Sequence, residues 1–136
     1  MVKRITEDLL TSLKLQDRDL SILFVNNKQI TELNKRFFHK DYPTNVISFS
    51  YMDGLSSEVM GDIVISIERA REEAKSLSIP FHERLFALII HAVLHILGFD
   101  HVNDKNDARR MRYREKRLLI FVTTHPLYVK LIKEFV

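Results

Sequence analysis

The chain has 136 residues, of which 46% are hydrophobic and 29% charged, and a formal net charge of +3. That apolar fraction excludes an intrinsically disordered chain, and the absence of cysteine excludes disulfide scaffolds, thiolate nucleophiles and cysteine metal sites. The length suits one domain, expected over 1–136; no apolar run approaches the roughly 18 residues of a membrane span, and Glu7 and Asp8 stand where a signal peptide would be apolar, so a soluble, cytoplasmic protein is expected.

In chain order, Lys3 to Leu15 carries Ile5, Leu9, Leu10 and Leu13 at helical spacing. Asp19 to Asn26 alternates and is expected as a strand buried on one side and partly on the other. Asn26-Asn27 offers an N-cap to a helix bearing Ile30, Leu33 and Phe37. After a turn from His39 to Pro43, Asn45 to Tyr51 forms a strand with Val46, Ser48 and Ser50 on one face and Ile47, Phe49 and Tyr51 on the other. Asp53 to Met60 is expected as a loop and Gly61 to Ile67 as a strand. Ser66 caps a helix that runs to about Leu77. The most apolar segment, about 80–97, is expected as a central helix that starts near Pro80 and stops at Gly98. Asn103 or Asp104 caps the next helix, which carries Ala108, Met111, Leu118 and Leu119, with Arg109, Arg110, Arg112 and Arg114 mostly outside; a short last helix is expected over Leu127 to Val136. The predicted order α-β-α-β-β-α-α-α, before that last helix, is an α+β domain: a small mixed sheet packed against a central helix and flanking helices.

The chemistry concentrates in His91-Ala-Val-Leu-His95-Ile-Leu-Gly98-Phe-Asp-His101. Residues i and i+4 share a helix face with Cβ atoms about 5–6 Å apart, so His91 and His95 can aim ring nitrogens at one cation. A third ligand on the same face would not close a tetrahedron. Gly98 ends the helix and His101 arrives on the returning chain, giving a helix-turn metal site like that of the metzincins. Three imidazoles leave one position for water, the arrangement of a catalytic site. They suit zinc, one ion per chain, and also nickel, copper or iron. Metzincin peptidases place a Glu directly after the first His as general base; Ala92 stands here and cannot take a proton. No protein base is assigned, and a metal-bound water of pKa about 7 is the expected nucleophile. Asp100 either orients a ligand imidazole or caps the turn after Gly98. His39, His82 and His125 have no such company.

HAVLHILGFDH resembles the H-G-x-L-H-L-x-G-[YF]-D-H motif of the YbeY family of bacterial rRNA maturation factors. Leu33 to Phe49 (LNKRFFHKDYPTNVISF) and Gly61-Asp62-Ile63 are similar to two further blocks of that family, so the likeness spans about residues 33–101. The resemblance implies a zinc-dependent, single-strand-specific endoribonuclease, a hydrolase acting in 16S rRNA 3′-end maturation and ribosome quality control. It implies partners in single-stranded rRNA and the small ribosomal subunit or its assembly factors, without a membrane. By position, His91, His95 and His101 take the ligand roles. Two positions depart from the family pattern: Ala92 stands for Gly, and Phe38 for an Arg.

Thr44, Asn45 and Ser48, together with the cations Arg36 and Lys40, are candidates to line a substrate cleft, and Asp62 is weighed beside them. Phe37, Phe38, Phe49 and Tyr51 are weighed as base-stacking rings against a core role. Residues 1–100 hold 12 basic and 14 acidic side chains and residues 101–136 hold 9 and 4, so the basic C-terminal quarter is either a phosphate-contacting surface or a solvated helix face. Two other functions fit the same residues. A metallopeptidase-like hydrolase would need its base from Glu58 or Glu68. A non-catalytic ribosome assembly factor would use the metal only to staple the His101 loop to the central helix.

Overall fold

Among the described residues, hydrophobic periodicity resolves into nine elements: α1 (Val2–Ser12), β1 (Asp19–Val25), α2 (Asn27–Phe38), β2 (Val46–Ser50), β3 (Val59–Ser66), α3 (Ile67–Leu77), α4 (Phe81–Ile96), α5 (Lys105–Thr123) and α6 (Pro126–Glu134). They are taken from a computed structural model that describes residues 1–51, 59–99 and 105–134. The expected order holds, and the last segment is a helix of nine residues that starts at Pro126. The strands form a mixed sheet, β1-β3-β2, with β3 in the middle, parallel to β1 and antiparallel to β2.

Period-two alternation sorts side chains onto the two faces of this sheet. Ile47 and Phe49 of β2, with Val64 of β3 and Val25 of β1, meet Ile30 and Leu33 of α2. Ile63 and Ile65, with Val46, Leu20 and Ile22, join the main core under α4. Nine of the sixteen α4 residues are buried, and each large aliphatic side chain there contributes roughly 1.5–3 kcal/mol of burial. The expectation of a central helix is met. β1 meets the expectation of a strand buried on one side and partly on the other only in part: Leu20 and Ile22 pack against the main core and Val25 against α2, but at the edge of the sheet Leu23 is 54% and Phe24 43% exposed. β3 begins two residues before the expected Gly61, at Val59. Ile67 belongs to α3, because the Ser66 hydroxyl accepts from the Arg69 N–H and starts the helix there.

The helix ends aim the chain. Asn26 and Gln29 form a reciprocal capping box on α2. Gly98, at φ 92°, closes α4 in a Schellman turn: its N–H donates to the His95 carbonyl at 3.0 Å and the Phe99 N–H donates to that of Leu94 at 2.9 Å. Lys14, His39 and Ser78 adopt the same left-handed conformation after α1, α2 and α3, each with a Cβ to accommodate. The C-terminal helices are tied to α1 through His125. Its Nδ1 accepts from the Leu127 N–H at 3.0 Å, which leaves Nε2–H to donate to Asp8 at 2.7 Å. His125 is a structural histidine.

Candidate metal centre and its cleft

Helical spacing brings His91 and His95 together, with Nε2 of one 3.0 Å from Nε2 of the other. A carboxylate settles the tautomer of the first. Glu115 of α5 lies 3.2 Å from His91 Nδ1, and a carboxylate only accepts, so Nδ1 carries the hydrogen and His91 Nε2 presents its lone pair. That lone pair faces the His95 ring, whose Nε2 either donates to it or joins it around a cation. Two nitrogens that bind one tetrahedral zinc at 2.0–2.1 Å lie about 3.3–3.4 Å apart, so the observed pair fits an ion with a shift of a few tenths of an ångström. Among the described residues no three His, Asp or Glu side chains are placed to hold a metal. Asp100 and His101, expected to complete the site, lie outside the described residues, as does Glu58.

The histidine pair opens into a cavity of about 470 Å³. Asn45, Val46 and Ser48 form one wall, Arg84, Ala87, Leu88 and Ala92 line it along α4, and Glu115 comes from α5. The alternation of β2 explains the first wall, since Val46, Ser48 and Ser50 share the α4 face. Ser50 Oγ donates to the Ile96 carbonyl at 3.1 Å and fastens that strand to the end of α4. Arg84 is held by Glu73 of α3, with Nη2 at 2.9 Å and Nε at 3.0 Å from Oε1. Asn45 Nδ2 donates to both oxygens of the same carboxylate at 3.3 Å. A guanidinium with two N–H groups so occupied keeps three for another acceptor, and it stands two helical turns before His91.

Of the other sequence candidates, Asn45 and Ser48 line this cavity, whereas Thr44, Arg36 and Lys40 do not. Thr44 is half-buried before β2, and Arg36 and Lys40 are exposed near the end of α2. Phe37 and Phe38 both contact the Phe49 ring, at 5.3 and 6.1 Å between centroids, and close the α2 side of the sheet. Tyr51 donates to Asp62 at 2.8 Å, a bond that raises its phenol pKa above the usual value. Glu68 accepts from the Asn27 N–H at 2.9 Å and so serves the start of α2. The sequence reading missed Glu73, Arg84 and Glu115. Two carry a legible signal in retrospect: Glu115 interrupts the apolar stripe Met111, Leu118 and Val122, and Arg84 falls on the helix face of Leu88, His91 and His95.

Known proteins supply the context. The solution structure of a Thermotoga maritima protein shares the fold, with a TM-score of 0.66 at 24% identity, covering 89% of this chain and 78% of that one. Endoribonuclease YbeY of Syntrophus aciditrophicus is 37% identical over 131 residues, 93% of this chain and 82% of the relative. Endoribonuclease YbeY of Carboxydothermus hydrogenoformans is 42% identical over 100 residues, 74% and 69% of the two chains. The description "Endoribonuclease YbeY" matches residues 1–122, and the chain belongs to that family.

Proposed function

We propose that this chain is a metal-dependent endoribonuclease that cleaves single-stranded RNA, acting in the cytoplasm on rRNA in 16S 3′-end maturation and ribosome quality control together with the small subunit or its assembly factors. The observation that carries the reading is the convergence of His91 and His95 at the floor of a cleft that also holds Arg84, in a member of this family. His91, His95 and the His101 that follows the Gly98 turn would hold one zinc ion, in a helix-turn arrangement like that of the metzincins. A divalent cation supplies there a nucleophilic water at neutral pH and charge neutralisation at phosphorus.

The chain's own groups do the rest. Glu115 keeps His91 in the tautomer that leaves Nε2 free to bind an ion, and holds the ring plane. Arg84, fixed by Glu73, places N–H donors where a phosphodiester oxygen gains negative charge in the transition state. Ser48 and Asn45 offer a hydroxyl and an amide to sugar or phosphate oxygens. Leu88, Val46 and Ala92 keep the floor apolar, which strengthens those polar contacts by lowering the local dielectric.

The test incubates purified protein with single-stranded RNA, duplex RNA and an unfolded protein, beside a His95→Ala variant and a chelated sample, with elemental analysis of the same preparation. Cleavage of single-stranded RNA alone, lost in both controls, with one metal per chain, is the expected result. RNA cleavage that survives both controls comes from a contaminant and refutes the reading. Protein cleavage would make the chain a metallopeptidase. A bound metal without any cleavage would make it an assembly factor whose ion is structural.

A further inference from the structure

α5 borders a second cavity, of about 530 Å³, between the ends of α1 and α4. Arg110, Arg114 and Arg117 line it at helical spacing, all three exposed, with Tyr113 among them and Phe99 on the α4 side. Guanidinium planes and rings are already paired: Arg114 sits 4.3 Å from the Phe99 ring centre and Arg117 5.7 Å from that of Tyr113. Tyr113 nevertheless remains 61% exposed, a large ring with most of its surface in water. A solvated helix face intersperses acids among its arginines. From Arg109 to Arg117 the single acid is Glu115, and it is turned to His91.

Cations that alternate with open rings match single-stranded nucleic acid, in which phosphates and base faces alternate along the strand. An acidic peptide would satisfy the arginines but would leave the exposed Tyr113 ring in water. Position supports the same occupant. Leu94 and Phe99 of the groove bracket the last turn of α4 that carries His95, so groove and candidate metal centre share α4 and α5. We infer that this groove is a docking site for the single strand that flanks the scissile bond, with Tyr113 as a stacking platform and Arg114 and Arg117 on successive phosphates. The inference rests on the RNA-cleaving reading above.

The test measures binding of a labelled single-stranded 12-nucleotide RNA by fluorescence anisotropy across a salt series. The proteins are the unaltered chain, an Arg114→Ala/Arg117→Ala double variant, Tyr113→Ala and His95→Ala. Each lost phosphate contact on a single strand lowers the log–log salt slope by about 0.7, so the double variant should lose about 1.4. Tyr113→Ala should weaken binding about tenfold with its slope unchanged. KM for the RNA should rise in both groove variants with kcat at saturation unaltered. His95→Ala should cleave nothing and yet still bind the RNA through the groove. If the unaltered chain binds with this pattern but cleaves nothing, only the catalytic reading fails and the groove stands. Slopes and affinities that match the unaltered chain in both groove variants overturn the groove. So does binding of an acidic peptide that these substitutions abolish while RNA binding persists.

Discussion

Gly61→Ala tests how closely the sheet and α4 must approach. Gly61 sits on the α4 face of β3, opposite Ser50 of β2. A Cβ built on it would lie 2.3 Å from the Phe49 carbonyl oxygen and 2.9 Å from Ile96 Cδ1. The Ile96 methyl can swing aside; the Phe49 oxygen is backbone and can retreat only if β2 moves by about 1 Å to regain ordinary contact. Overpacking of this kind costs typically 1–3 kcal/mol. The upper part of that range applies, because the displaced strand is also fastened to α4 by Ser50 Oγ. Urea unfolding monitored by circular dichroism measures the loss. Ile96→Val added to Gly61→Ala should recover only a minor share of it, since the backbone contact persists. Because β2 and the residue just before it carry Ser48 and Asn45 into the cleft, catalytic activity should fall as well, at temperatures where the variant is still folded. A Gly61→Ala protein within 0.5 kcal/mol of the unaltered chain would refute the reasoning.

Glu115→Ala should weaken zinc binding 10- to 100-fold in a competition titration with a metallochromic indicator. Glu115→Gln should retain most of the affinity, because its amide oxygen still accepts from His91 Nδ1; equal affinities in all three proteins would contradict the orienting role. Burial lowers the pKa of His82 below its usual 6.5. In the window just below 6.5 the unfolded chain therefore binds more protons, and stability falls as the pH drops. His82→Gln should flatten this component of a stability-versus-pH curve, and an unchanged slope would count against it. Ser78→Gly should raise stability by roughly 0.5–1 kcal/mol, because the left-handed backbone after α3 strains any residue with a Cβ; thermal melting gives the answer.

Elements were legible wherever periodicity was unbroken. α4 announced itself by its apolar density, and β2 by an alternation that correctly put Val46, Ser48 and Ser50 on one face. β1 misled because a run such as Leu20 to Val25 reads the same whether the strand is central or at an edge; burial is decided by which strands pair, and that is not a local property. The turn at Gly98 was readable because glycine favours a left-handed backbone, whereas Lys14, His39 and Ser78 adopt that conformation with no compositional mark. At the site, His91 and His95 were evident from an interval of four. Arg84 and Glu73 were not, since their pairing joins α3 to α4 across eleven residues and depends on how two helices cross. Glu115 was overlooked because it was counted with the charges of a basic helix, although its spacing from Met111 places it on the inward stripe.

The placement of His91 and His95 on the most buried helix has a consequence for amide hydrogen exchange. Backbone amides in α4 are expected to exchange only through global opening, so both imidazoles inherit the stability of the whole molecule and not that of a loop. Damage to the core anywhere along α4 would then register at the histidines before the fold is visibly lost.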